Sequence, residues 1–133
     1  FFLERVLAGK TDGKQVFQAF AGIFSDSALP GAEKMPRPGK ALISNIYVNI
    51  FLPICFMYCE KHADAETGER VIRYYSEFSG LQDNHVTRFM SRYLSPAHMR
   101  AVNGKTVLQQ GLMEIFHRYC NYHLCAECQA AKP

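Results

Sequence analysis

The stretch that decides the fold reads Ala41-Leu-Ile-Ser-Asn-Ile-Tyr-Val-Asn-Ile-Phe-Leu-Pro53-Ile-Cys-Phe-Met-Tyr-Cys59. These nineteen residues contain no charge, and a run of this length can cross a bilayer. Ser44, Asn45 and Asn49 and the central Pro53 favour instead a helix buried inside a helical protein, so we expect no membrane contact. Because proline lacks the amide that would bond to the carbonyl of Asn49, a kink is expected there.

The remaining segments show the same helical periodicity. Apolar residues recur every three to four positions in predicted helices at about 13–25, 66–79, 84–94, 96–101 and 105–120. Prolines and glycines in residues 26–39 predict an internal linker. The sequence therefore predicts one all-α domain over residues 1–133. We expect a single bundle of about five to six helices around a kinked central helix, with a C-terminal Cys-rich loop.

The periodicity also predicts which side chains face the core. In the helix at 84–94 the predicted inward residues are Val86, Phe89, Met90 and Tyr93. In the last helix they are Val107, Leu108, Leu112, Ile115, Phe116 and Tyr119. Ser95-Pro96 is typical of a helix N-cap followed by the first helical residue, and Asp83 or Asn84 can cap the helix before it.

Composition restricts the class of protein. The chain has 133 residues and a formal net charge of +3, which permits an acidic partner without requiring one. Its five cysteines are an odd number, and no export signal precedes them, so we expect reduced thiols and a cytoplasmic location. The chain opens Phe1-Phe2-Leu3 without Met, so it is either processed or a fragment of a longer protein, and we expect a fragment.

The sharpest motif is the cysteine cluster Cys120-x4-Cys125-x2-Cys128 near the C-terminus. Two cysteines separated by two residues can place both sulfurs on one metal ion, and Cys120 adds a third ligand at the end of the last predicted helix. A structural zinc site takes four ligands. The candidates for the fourth are His117, His123 and Cys59.

Three interpretations of this cluster stay open. The first is zinc, and the second is an iron–sulfur cluster, because the spacing together with a remote cysteine equals that of plant-type ferredoxins. The third is a set of ordinary thiols that bind no metal. Cys55 and Cys59, four residues apart in the apolar helix, are predicted to be buried core residues.

Basic residues outnumber acidic ones in the C-terminal half, and Arg88 and Arg92 share one helix face. Together with Arg100 and Arg118 they are candidate contacts for a nucleic-acid backbone, although a solvated helix face gives the same pattern. The sequence contains no Gly-rich phosphate loop, nucleophile elbow or His-Glu-x-x-His motif. We therefore expect no self-contained active site in this chain.

Two stretches resemble a known family. They are Pro38-Gly-Lys-Ala-Leu-Ile-Ser with Ile46-Tyr-Val-Asn-Ile-Phe-Leu-Pro-Ile-Cys-Phe-Met-Tyr58, and Gln109-Gln-Gly-Leu-Met-Glu-Ile-Phe-His-Arg-Tyr-Cys120 with Cys125-Ala-Glu-Cys128. Together they are similar to the central helix and the C-terminal ending of the bacterial family catalogued as domain of unknown function 2851.

The resemblance implies the C-terminal helical part of a longer bacterial protein, with Cys120, Cys125 and Cys128 matching the family's three cysteines. Cys59 stands where the family has a small residue, and His117 is not a fixed position. Our functional hypothesis is a helical domain with a structural metal site, accessory to a longer nucleic-acid-processing protein whose upstream part would be its partner. The alternative is a structural or protein-interaction domain that binds no metal.

Overall fold

A computed structural model describes residues 12–24 and 37–128 of the chain. Within this part the chain is all-α, as predicted, and forms six helices with no strand. They are α1 (Gly13–Gly22), α2 (Lys40–Lys61), α3 (Ala65–Glu77), α4 (His85–Met90), α5 (Pro96–Gly104) and α6 (Thr106–Arg118). Short 3-10 turns follow α4 at Ser91–Tyr93 and α6 at Cys120–Tyr122. Most of the predicted linker at 26–39 lies outside the described residues.

The chain divides into two compact units, Phe1–Glu77 and Phe78–Pro133. Helices α1, α2 and α3 belong to the first unit, which we call unit 1. Helices α4, α5 and α6 belong to the second, which we call unit 2. The prediction of a single domain over the whole chain stays a prediction, and each unit is described separately.

Aromatic side chains of α1 and α2 form the centre of unit 1. The ring of Phe20 lies 4.7 Å from that of Phe51 and 5.3 Å from that of Tyr47, measured between centroids. Val16 and Val71 complete this core and are almost wholly buried. Burial raises the pKa of the Tyr47 hydroxyl above its usual value, and the neighbouring Cys55 thiol raises it further.

Helix α2 changes its winding just before its proline. Tyr47–Phe51 form a π-helical turn, in which the Leu52 amide donates to the carbonyl of Tyr47, five residues earlier. Pro53 cannot donate a hydrogen bond, and its ring would crowd the preceding turn of an α-helix. A wider turn relieves that crowding. The structure thus has a π turn just before Pro53, where we predicted a kink.

In unit 2, α6 begins against the loop that precedes α4. The Thr106 hydroxyl donates to the carbonyl of Ser79 over 2.7 Å, and the backbone amide of Thr106 donates to Phe78 over 3.1 Å. The Gln109 side chain bonds to both backbone groups of Leu81: its amide nitrogen donates over 3.0 Å, and its oxygen accepts over 2.6 Å. Thr106 and Gln109 are consequently buried.

Part of the core that we predicted for unit 2 is wrong, and these contacts explain why. Val107 and Leu108 were predicted to face inward, but they are 37% and 44% exposed, because the buried first turn of α6 presents Thr106 and Gln109 instead. Local periodicity cannot anticipate this, since both polar side chains bond to a loop almost thirty residues away. Leu112 is buried as predicted and packs with Val86 and Met90.

The predicted inward positions of Phe89 and Tyr93 are also wrong. Tyr93 is 70% exposed and Phe89 is 36% exposed, whereas Val86 and Met90 are buried. Helix α4 is only six residues long, and Leu94, rather than Tyr93, packs on the core after the 3-10 turn. Both aromatic side chains are therefore left at the surface of unit 2.

The helix caps of unit 2 match the sequence signals. Asn84 caps α4, because its side-chain oxygen accepts hydrogen bonds from the amides of Val86 and Thr87. The Thr87 hydroxyl oxygen in turn accepts a hydrogen bond from the backbone amide of Asn84, which completes a capping box. Ser95 caps α5 by accepting from the amide of His98, as the Ser95-Pro96 pair predicts.

Candidate functional site

The cysteine segment folds back on itself directly after α6. The amide of Leu124 donates to the carbonyl of Tyr119 over 2.9 Å, and His123 between them has a positive φ of 57°. The amide of Cys128 donates to the carbonyl of Cys125 over 3.3 Å, so the Cys-x-x-Cys stretch closes into a turn. The segment therefore returns the chain toward the end of α6 instead of continuing away from it.

The three thiols of this segment differ in exposure. Cys128 is buried, Cys120 is half-buried with its sulfur 3.9 Å from that of Met90, and Cys125 is exposed. Burial raises the pKa of the Cys120 thiol, and negative charge on Cys128 and Cys125 would raise it further. Cys120 therefore lies close enough to Cys125 and Cys128 for charge on them to affect it.

They do not form a metal site as they stand. Among residues 12–24 and 37–128, no three His, Cys, Asp or Glu side chains are arranged to hold a metal ion. His117 and His123 are exposed, and all the cysteines are free thiols. The present arrangement of Cys120, Cys125 and Cys128 therefore does not fit a bound ion without side-chain movement.

No protein-family model matches this chain, and neither does any curated protein or solved structure to which it was compared. The resemblance to the domain of unknown function 2851 family consequently stays a prediction.

Cys59, the remote ligand candidate, belongs to unit 1. Its thiol lines a cavity of about 340 Å³ between the end of α2 and the start of α3, together with Glu60 and Asp64. Cys55 and Cys59 are both buried, as predicted. Burial raises the pKa of the Cys55 thiol to about 12, and the neighbouring Cys59 adds to the shift. Both thiols are therefore protonated at neutral pH and behave as core side chains.

Helix α2 carries exposed large apolar side chains besides its buried ones. Four side chains of this helix are about half exposed or more: Leu42 at 54%, Ile50 at 53%, Ile54 at 51% and Met57 at 69%. In a regular α-helix Leu42 and Ile50 would point about 80° apart, because eight residues exceed two turns. Ile50 lies within the π turn Tyr47–Phe51, whose wider winding reduces the rotation per residue and narrows this angle, so Leu42, Ile50, Ile54 and Met57 lie closer to one side of the helix. We call them the apolar stripe.

This stripe was not predicted from sequence, because an uncharged helix of this length is expected to be buried on most sides. The lack of charge from Ala41 to Cys59 was the available signal, since a helix with one buried face usually carries charges on the other. Asn45 and Asn49 beside the stripe turn their amides onto the helix, donating to the carbonyls of Ala41 and Asn45 over 2.9 and 3.1 Å. The polar groups of this surface are thereby partly satisfied within the helix.

By length and composition alone, α2 could cross a membrane. Its mean hydropathy is 1.7, and 33% of its most apolar window is buried within the protein. The core helix of a soluble protein meets the same criteria. The prediction that the chain makes no membrane contact stays a prediction.

The four candidate arginines for nucleic acid all lie at the surface of unit 2. Arg118 forms an ion pair with Glu114 on the preceding turn of α6, with 4.0 Å between nitrogen and oxygen. Arg100 is exposed on α5. Arg88 and Arg92 are exposed on α4 and the turn that follows it. The structure thus brings Arg88 and Arg92 together and gives Arg118 a carboxylate partner of its own.

Proposed function

We propose that this chain is a helical interaction domain, accessory to a larger assembly, and that the apolar stripe of α2 binds another protein surface. The observation that supports the proposal is a helix that is apolar on its exposed side as well as on its buried side. One side is already used by the core residues Val48, Leu52 and Cys55. The other side has no charge with which to hold water, and such a patch on a soluble protein commonly marks an interface.

Burial of the stripe would contribute to binding, but it offsets only part of the cost of association, so specific binding requires further contacts. Covering the exposed half of one large aliphatic side chain contributes about 1 kcal/mol, so the four side chains of the stripe together supply about 4 kcal/mol before any other contact. An uncharged helix face fits an apolar groove or a second apolar helix, as in helix-in-groove recognition. Another part of a longer protein, or a separate subunit, would present that surface.

The isolated chain should therefore self-associate weakly through the stripe when its partner is absent. In sedimentation velocity we expect the average mass to rise with concentration, and Ile54→Gln with Met57→Gln should restore a monomer. The same double variant should keep its melting temperature within about 2 °C, because both side chains are largely exposed.

Ile72→Gln is the matched control, since Ile72 is a 52% exposed isoleucine on α3 of the same unit, outside the stripe. This control should associate like the unmodified chain. A chain that stays monomeric at all concentrations, or that the control disperses equally well, would contradict the proposal. Binding to lipid vesicles that the double variant abolishes would identify a membrane instead of a protein as the partner.

A second proposal concerns the thiols of unit 2: Cys120, Cys125 and Cys128 bind one metal ion, zinc in the first instance, and pin the C-terminal segment to α6. The closed Cys125–Cys128 turn favours it, and the three side chains would have to rotate to converge on the ion. Within unit 2, the fourth ligand would come from His117 or His123. An iron–sulfur cluster on the same thiols would differ by its visible absorption.

Protein purified without chelator should then contain one metal ion per chain, and Cys125→Ser with Cys128→Ser should lose it. A ligand present at a hundred times its dissociation constant stabilises the folded protein by about 2.7 kcal/mol. The free energy of unfolding of the double variant should therefore be lower by about that amount. Chelator should destabilise the unmodified chain and leave the variant unchanged, which separates metal loss from any effect of the serines. Metal far below one per chain, with no response to chelator, would rule the proposal out.

A further inference from the structure

One side of α4 and its following turn carries alternating basic and aromatic side chains. His85, Arg88, Phe89, Arg92 and Tyr93 follow one another at helical spacing, and all five are exposed. The opposite side of α4 is buried through Val86, Thr87 and Met90. We call the five exposed residues the aromatic–basic face.

The aromatic rings of this face also contact an aromatic ring of α6. The centroid of the Phe89 ring lies 5.5 Å from that of Tyr93 and 5.4 Å from that of Phe116. The His85 ring meets Phe116 edge-on at 6.4 Å, and the guanidinium of Arg92 lies 6.0 Å from the centre of the Phe89 ring. Flat π surfaces and a guanidinium therefore lie side by side on one exposed surface.

The net charge around the aromatic–basic face is positive, which favours the binding of an anion. Unit 2 carries five Lys and Arg against three Asp and Glu between residues 78 and 128, a net charge of +2. Glu114 is engaged with Arg118, and Asp83 accepts a hydrogen bond from the Thr87 hydroxyl over 3.3 Å. Within the described part of the chain, neither Arg88 nor Arg92 forms an ion pair with a carboxylate.

From these observations we propose that the aromatic–basic face binds single-stranded nucleic acid. Tyr93 and Phe89 would stack on unpaired bases, while Arg88 and Arg92 contact the phosphates. Stacking on exposed rings requires bases whose faces are free, which a duplex does not provide. The site is independent of the apolar stripe, which lies in unit 1. It also differs from the site predicted from sequence, because Arg100 and Arg118 are not part of it and two aromatic side chains are.

The test measures fluorescence anisotropy of a labelled twelve-nucleotide DNA strand with the full chain in low and moderate salt. Tyr93→Ala should weaken binding about tenfold, which is a typical loss for one stacked base. Arg88→Gln with Arg92→Gln should reduce the slope of log affinity against log salt by about 1.4, since each phosphate contact on a single strand contributes about 0.7. Tyr122→Ala is the matched control, because Tyr122 is a 66% exposed tyrosine of the same unit outside the face.

Three results would overturn the proposal. The first is no binding at low salt. The second is equal loss on Tyr93→Ala and Tyr122→Ala, and the third is tighter binding to a duplex that Tyr93→Ala does not affect. Binding to anionic vesicles without binding to the strand would assign the face to a lipid surface instead. Ile54→Gln with Met57→Gln should leave strand binding unchanged, so failure here and failure of the stripe are distinguishable.

Discussion

Replacing Gly80 with alanine is expected to lower the free energy of unfolding of unit 2 by about 4 kcal/mol, a loss reserved for severe structural conflicts. Gly80 lies in the loop between α3 and α4, where its amide donates to the carbonyl of Gly104 over 3.2 Å. A Cβ atom at this position would collide with the carbonyl oxygen of Asn103, and the carbonyl carbon behind it lies only 2.7 Å away. Because both atoms belong to backbone, no side-chain rotation relieves the collision.

Thermal and urea unfolding of Gly80→Ala would measure the effect, and Gly111→Ala supplies the control. A Cβ atom at Gly111, on the exposed side of α6, meets no heavy atom within 4 Å. There alanine should stabilise by about 0.5 to 1 kcal/mol, because glycine is a poorer helix former. If both alanine variants had the same stability, the close approach of Gly80 to Asn103 would be disproved.

The second large loss of stability is expected for Gln109→Leu, which should lower the free energy of unfolding by about 3 kcal/mol. Gln109 is 3% exposed, and its side chain satisfies both the amide and the carbonyl of Leu81. Leucine has a similar size but leaves these two backbone groups without partners, and each buried unsatisfied group costs about 1 to 3 kcal/mol. Hydrogen exchange should show the amide of Leu81 losing protection before the rest of unit 2.

Gln82→Leu tests whether the position, and not the chemistry of the substitution, causes the loss. Gln82 is exposed in the same loop, so its replacement should change stability by less than about 0.5 kcal/mol. Equal loss in the two leucine variants would remove Gln109 as the residue that holds the loop. Combining Gly80→Ala with Gln109→Leu should cost less than the sum, because both act on the same loop.

The first turn of α6 explains why these two positions matter more than the apolar ones around them. Thr106 and Gln109 hold the loop at 78–81 by side-chain hydrogen bonds, and Ser79 pairs with Lys105 in an isolated antiparallel bridge. Gln109 begins one of the two stretches that resemble the known family. In the structure this glutamine organises the end of α6 opposite to the cysteines.

Local chemistry was sufficient to predict the all-α class and the starts of α4 and α5. Asn84 and Ser95 cap their helices because a short polar side chain reaches the amides two or three residues ahead, and Pro96 follows where its missing amide costs nothing. These contacts span only a few residues, so they can be inferred from neighbours in the chain. The placement of Cys55 and Cys59 in the core of unit 1 also followed from an apolar helix.

Only the tertiary structure decided which side of each helix is covered. Helical spacing places Val86, Phe89, Met90 and Tyr93 near one another, but the short α4 covers Val86 and Met90 and leaves Tyr93 outside. The burial of Gln109 depends on a loop 28 residues away, and the alignment of the apolar stripe depends on one π turn. Periodicity records which side chains share a face, whereas burial depends on partners brought together by long-range packing. For that reason the sequence determined the helices, and the fold alone determined the two surfaces to which we assign function.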